Sequence, residues 1–261
     1  MIYAKAPSGG FKIRHGDSRA VRASGAALTQ AGFPPVEFRK VALPSQVQGR
    51  DPRLWPRLSF RLDQGERLVL FGDQPEIAAE VLRLIARQTA AMAGAVCLQG
   101  RDIWLMSGAE VRQKVALVDA GSLCDPAGRV GVSAGVSLWQ TVSRALLPEG
   151  CDWGEVRDDR RRQDIAMALA KMGLLAQADQ DCAGLDAAGQ LALVMARALA
   201  MRPGVLLIDA TRPDPAAAPA LDLLAGLDDL AILVAAAPQQ RSMTWATGWA
   251  TGWLSPPDML C

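Results

Sequence analysis

FGDQPEIAAEVLRLIA, residues 71–86, is the stretch on which the reading of this chain turns. It closes LSFRLDQGERLVLFG, residues 58–72, in which two strand-like runs flank the turn Asp63-Gln64-Gly65. Pro75 then starts a helix, because proline suits a first helical turn and Val81, Leu82, Leu84 and Ile85 supply an apolar face. A helix that begins directly after a strand offers its free N–H groups as a seat for an anion. Here Asp73, Glu76 and Glu80 place negative charge around that seat, and no lysine occurs between Lys40 and Lys114. The corner has the outline of a phosphate-binding loop without the residues that bind phosphate.

The neighbouring segments repeat the strand and helix theme. VEFRKVAL, residues 36–43, alternates apolar and polar positions like a half-buried strand. Beyond the corner, AVCLQGRDI (95–103) reads as a strand and turn, SGAEVRQK (107–114) as a short helix started by Ser107, and VALVD (115–119) as a strand. Residues 121–190 change character: a dense charge run at 157–164 precedes the amphipathic IAMALAKMGLLAQA, which reads as a mostly helical insert. QLALVMARALAMRP is a helix stopped at Pro203-Gly204, and VLLID and LAILVAA are short apolar strands of the buried parallel type. Strands separated by helices give an α/β sheet with an inserted helical subdomain.

Composition narrows the function classes. The 261 residues carry a net charge of +1, so there is no chain-wide basic field for nucleic acid, and no nucleic-acid partner is expected. Residues 1–35 are rich in Gly, Ser, Ala and Arg and hold Lys5, Lys12, Arg14, Arg19 and Arg22 against Asp17 alone. They read as a basic, flexible tail, either merely solvated or in touch with an acidic partner or lipid head groups. Cys97, Cys124, Cys151, Cys182 and Cys261 are scattered, and His15 is the only histidine, so neither a disulfide framework nor a metal site is expected. The longest apolar run, 230–238, is far short of the roughly 20 residues that span a bilayer, and a protein of a reducing compartment without a transmembrane segment is expected.

Over residues 36–254 the order of these segments resembles the nucleotide-binding domain of ATP-binding cassette (ABC) ATPases, most closely the exporter type. The resemblance rests on VEFRKVAL, LSFRLDQGERLVLFG, VLRLIA, GAVCLQGRDI, VRQKVALV, MARALAMRPGVLLID and LAILVAAAP, in order and at the family's spacing. It implies an α/β P-loop NTPase-type core with a helical subdomain, as one domain at 36–261, with the insert at about 121–190 and a Trp-rich end at 245–261.

The departures from the family pattern are as regular as the matches. The phosphate loop of the family reads G-x-x-G-x-G-K-S/T, with glycines for close backbone approach, lysine for the β- and γ-phosphates and a hydroxyl for Mg²⁺. In that register Gly72 is kept, while Pro75 and Ile77 replace glycines, Ala78 the lysine and Ala79 the hydroxyl. The aromatic that stacks on adenine falls near Ser45, the loop glutamine at Ala120 and the switch histidine at Ala236. In the Walker B strand Asp209 is kept, read here as a turn carboxylate, and the carboxylate that polarises water is Ala210. The signature LSGGQ becomes Leu185-Asp186-Ala187-Ala188-Gly189, with an acid where a serine should face the γ-phosphate. A general base alone contributes roughly 10²- to 10⁴-fold in rate, and each preorganised donor roughly 10²- to 10³-fold.

The expectation is therefore a pseudo-ATPase with no catalytic residue, no metal and no bound cofactor, acting as a structural or regulatory subunit of a larger, membrane-associated complex. The alternative is an ATP- and Mg²⁺-binding subunit of an ABC transporter, such as the degenerate half of a heterodimeric exporter beside an intact ABC subunit. The resemblance places the chain in the cytoplasm, at the cytoplasmic face of the inner membrane if a membrane complex is its partner. Residues near 121–136 lie where the family receives its membrane subunit. Trp245, Trp249 and Trp253, spaced four apart in WATGWATGW, read either as a protein contact surface or as a cap on the core.

Overall fold

The computed structural model of the protein describes residues 12–14, 33–47, 51, 57–72, 74–120, 136–146, 159–212, 218–237 and 249–254. In chain order its strands are β1 (Lys12–Arg14), β2 (Val36–Ala42), β3 (Leu58–Leu62), β4 (Arg67–Gly72) and β5 (Ala93–Leu98). They continue with β6 (Arg101–Asp102), β7 (Val115–Asp119), β8 (Val205–Ala210), β9 (Ala231–Ala236) and β10 (Ala250–Leu254). The α-helices are α1 (Pro44–Val47), α2 (Pro75–Ile85), α3 (Gly108–Lys114), α4 (Leu138–Ala145), α5 (Asp159–Lys171), α6 (Ala187–Ala200) and α7 (Ala218–Asp222).

The strands form two sheets. A six-stranded sheet runs β1-β10-β4-β9-β8-β7, with β10, β4, β9, β8 and β7 mutually parallel, and an antiparallel sheet runs β3-β2-β5-β6. β9 is buried at every position, which explains its unbroken run of apolar residues: a central parallel strand is covered on both faces. Alternate side chains divide the core into two clusters, as the period of two demands. Val69, Phe71, Leu206, Ile208 and Val234 pack on the side of α4, α5, α6 and α7, whereas Leu68, Leu70, Leu207 and Leu233 pack on the side of α2 and the antiparallel sheet.

Two features differ from the sequence expectations. β3 and β4 flank the turn Asp63-Gln64-Gly65 but enter different sheets, so the turn is a passage between layers; Gly65 holds φ +74 there and Glu66 donates to the Asp63 carbonyl at 3.1 Å. The tail of residues 1–35 is not wholly outside the domain: Lys12–Arg14 pairs antiparallel with Thr251, Gly252 and Trp253 of β10. Three residues are too short for any periodicity to reveal a strand.

Within residues 121–190 the described part holds α4, α5 and two short 3₁₀ turns, tied by a bridge between Ser137 and Asp181. Residues 121–135 and 147–158 lie outside the described residues. Capping explains where α3 and α4 begin. Ser107 and Glu110 close a capping box at α3, as Ser137 and Gln140 do at α4.

Candidate functional site

The C-terminal ends of the parallel strands gather most of the motif positions. Strand register sets Phe71 beside Ala236, Ala236 beside Ala210, and Asp209 beside Asp119, so the ends of β4, β9, β8 and β7 line one edge of the sheet. In α/β sheets that edge is where ligands bind. Gly72 is required by the bend that leaves β4, since a Cβ there would lie 2.5 Å from the Gln74 carbonyl oxygen. Asp73 lies outside the described residues.

α2 starts from Gln74, whose side chain makes no capping hydrogen bond, and Pro75 brings no N–H to the first turn. Ile77, Ala78 and Ala79 are all buried, with Ile77 and Ala78 in the cluster under the antiparallel sheet. Ala120, Ala210 and Ala236 are likewise buried methyl groups.

Two carboxylates near this edge, Asp209 and Glu80, have internal partners. Asp209 Oδ1 accepts the Thr211 hydroxyl at 2.6 Å and the Thr211 N–H at 3.1 Å, an Asx turn at the end of β8. The Asp209 carbonyl accepts the Ala120 N–H at 2.9 Å, tying β7 to β8. Glu80, one turn further along α2 than Glu76, is buried, and its carboxylate accepts both the N–H and the hydroxyl of Ser45 at the start of α1. Neither contact figured among the sequence expectations. The Asp-Ala-Thr order at 209–211 carries a turn signal, but Ser45 and Glu80 lie 35 residues apart on different elements and share no pattern.

Leu185, Asp186, Ala187, Ala188 and Gly189 stand apart from that edge, at the start of α6. Asp186 is the N-cap: its Oδ1 accepts the Gly189 N–H at 2.7 Å, so the acid at the signature position stabilises the helix that follows it. Leu185 packs on the core. Among the described residues no group of three or more His, Cys, Asp or Glu is placed to hold a metal ion.

Trp249 lies elsewhere. Ala250 pairs with Leu68, which puts Trp249 at the N-terminal end of β4, opposite to Gly72. Trp249 is only 7% exposed, packs in the cluster with α6 and α7, and lies 5.9 Å from the Arg67 guanidinium carbon. Of the two readings left open for Trp249, contact surface or cap on the core, its burial fits the cap, and the cation beside it is held by Asp228 at 2.6 Å and the Ala225 carbonyl at 2.8 Å. Trp253 lies in β10 opposite Phe71, and Trp245 falls outside the described residues.

Comparison with known proteins agrees with this arrangement. The family model described as ABC transporter matches residues 56–212. The phosphate import ATP-binding protein PstB 2 of Natronomonas pharaonis is 27% identical over 60% of this chain and 55% of its own. The ribose import ATP-binding protein RbsA 1 of Rhizobium meliloti is 29% identical over 61% of this chain and 31% of its own. The chain thus spans about half or less of the length of these curated relatives, whose names describe import, so the exporter type is not singled out.

Among solved structures, a nucleotide-free ATP-binding cassette from an ABC transporter superposes with a TM-score of 0.61 at 13% identity, covering 86% of this chain and 89% of that one. CbiO1 from Clostridium perfringens, part of the ABC transporter complex cbiONQ, gives 0.58 at 15% identity, with 78% of each chain covered. At such identities the likeness is one of fold.

Proposed function

The chain belongs to the ABC transporter family, and from that membership we propose that it works as a cassette without nucleotide chemistry, a structural or regulatory subunit of a membrane-associated protein assembly. The family ordinarily binds ATP with Mg²⁺. The residues present here do not fit that pair. A triphosphate needs cationic and N–H donors, and Mg²⁺ needs hard oxygen ligands that are free to coordinate. At the motif positions α2 and the ends of β7, β8 and β9 carry instead the buried methyl groups of Ala78, Ala79, Ala120, Ala210 and Ala236. Asp209 is engaged by Thr211, Glu80 by Ser45, and Glu76 is exposed where it would repel a phosphate.

The observation that carries this reading is the Asp209–Thr211 turn. It occupies the one carboxylate in the family's motif positions that this chain keeps, and leaves no group to activate water. Groups that act together in catalysis lose their effect together. The test is steady-state ATP hydrolysis by the purified chain against an Asp209→Ala control. Equal, background rates are expected; turnover by the native chain above that control would contradict the reading and restore an ATP-driven subunit.

The partner side of the proposal draws on exposed apolar surface. Trp104 is 40% and Leu105 80% exposed; the Arg87 guanidinium lies over the Trp104 ring with its carbon 5.2 Å from the centroid, and Arg87 Nη1 donates to the Met106 carbonyl at 2.5 Å. Arg87 also borders a cleft of about 460 Å³ with Val111, Arg112 and Leu117. A rigidly held tryptophan beside a cleft is the type of feature that anchors protein interfaces. Among the described residues no helix is long and apolar enough to cross a membrane. In this reading attachment to the membrane, at its cytoplasmic face, comes from the partner.

A further inference from the structure

Among the described residues Glu80 is the only buried Asp, Glu, Lys or Arg, and it has no apolar reason to be there. A carboxylate away from water must be hydrogen-bonded to be tolerated. Both of its oxygens are served by one residue: Oε1 accepts the Ser45 N–H at 3.1 Å and Oε2 accepts the Ser45 hydroxyl. The Ser45 amide is a first-turn donor of the four-residue α1, which α1 cannot satisfy for itself. α1 leaves the antiparallel sheet directly after β2, whereas α2 lies against β4, β8 and β9 of the parallel sheet. The contact therefore joins the two layers beside the start of α2, at the edge where an α/β sheet would admit a ligand.

We propose that Glu80 acts as an internal ligand: it takes the donors of Ser45, latches α1 onto α2 and closes the ligand crevice to a nucleoside. This rests on the reading above that the crevice no longer serves nucleotide chemistry, and adds a cause internal to the fold. In this latch the Glu80 side chain, in the second turn of α2 and bound directly to Ser45, takes the place between α1 and α2 that a base and ribose would need. The latch also removes any need for a nucleotide to hold the two layers together, because the carboxylate makes the anionic contact itself.

The test compares the full chain with Glu80→Ala and, as a variant of nearly unchanged shape, Glu80→Gln. Two readouts are needed, hydrogen exchange at the Ser45 amide and titration with a fluorescent mant-ADP. In Glu80→Ala the Ser45 amide is expected to exchange at least about tenfold faster, the fold-change of one lost hydrogen bond. The same variant, opened to the base and ribose although it regains no phosphate donor, is expected to bind mant-ADP saturably through them with a Kd below about 1 mM, with no saturable binding by the native chain.

Glu80→Gln, whose amide oxygen still accepts the Ser45 N–H, is expected to keep the protection of that amide. Unchanged protection of the Ser45 amide in folded Glu80→Ala would overturn the latch. So would faster exchange without any gain of mant-ADP binding, which would make the contact structural only, and so would equal binding by native and variant chains. ATP turnover by the native chain is a separate outcome: it contradicts the proposed function, whereas a failed gain of binding contradicts only the latch.

Discussion

Glu110 shows how much a single exposed carboxylate organises here. Its Oε2 accepts the Ser107 N–H at 2.7 Å, the Ser107 hydroxyl accepts the Glu110 N–H at 3.1 Å, and Arg101 donates to Oε1 at 3.1 Å. The Ser107 backbone donor, followed by the Ser107 hydroxyl and the Arg101 guanidinium, holds the Glu110 carboxyl below the usual glutamate range. A folded value below the unfolded one makes the ionised form the stabilising one. Its contribution is complete above the ordinary glutamate value of about 4.3 and disappears as pH falls through the lowered folded value. Glu110→Gln should therefore flatten the acid limb of the melting-temperature profile, measured from neutrality down to about pH 3. An acid limb identical to that of the native chain would show that the box does not form in solution.

The Ser107 start of α3 was legible from its serine and the helical pattern behind it. The partners of Asp209 and Glu80 were not, for opposite reasons. Asp209 is captured within two residues by a threonine whose role depends on the turn, and Glu80 by a serine brought near only by the packing of α1 on α2.

At the sheet edge, β10 depends on one aromatic anchor. Trp249 enters the core immediately before Ala250, with Arg67 held beside its ring by Asp228 and the Ala225 carbonyl. Removing a buried tryptophan deletes its transfer energy and leaves a cavity, at a cost of about 3–5 kcal/mol. Trp249→Ala is expected to lower stability by that order in urea denaturation and to loosen amide protection across β10. A change under about 0.5 kcal/mol, the size of an ordinary surface substitution, would mean that Trp249 is solvent-facing and free for a partner. The four-residue spacing of the tryptophans left interface and core equally open, because a repeat says nothing about which side the strand after it turns. β1 was hidden for a related reason: three residues in a Gly- and Arg-rich tail show no pattern, and their pairing with β10 exists only once the chain ends meet.

Taken as one body, the molecule keeps what the fold needs, and in the proposed reading it changes what the chemistry needs. The strand order, the two clusters on either face of the parallel sheet and the helices around 136–200 follow from apolar runs that were readable along the chain. Burial demands those runs whatever the function. The identities at the sheet edge were equally readable, since spacing from Gly72 and from β8 assigns Ala78, Ala79, Asp209 and Ala210 to their stations. What spacing could not convey is that Asp209 and Glu80 are tied up internally, since those contacts are set by how the chain turns after β8 and how α1 meets α2.

Whether the crevice takes a nucleotide at all is answered most directly by thermal unfolding with and without millimolar Mg-ATP, beside an intact cassette ATPase as positive control. A ligand at about 100 times its dissociation constant adds roughly 2.7 kcal/mol of stability, about 5–10 °C for a domain of this size. A cassette without nucleotide chemistry keeps its melting temperature while the control moves. A rise of several degrees in this chain would contradict that and place ATP back at the ends of β4, β8 and β9.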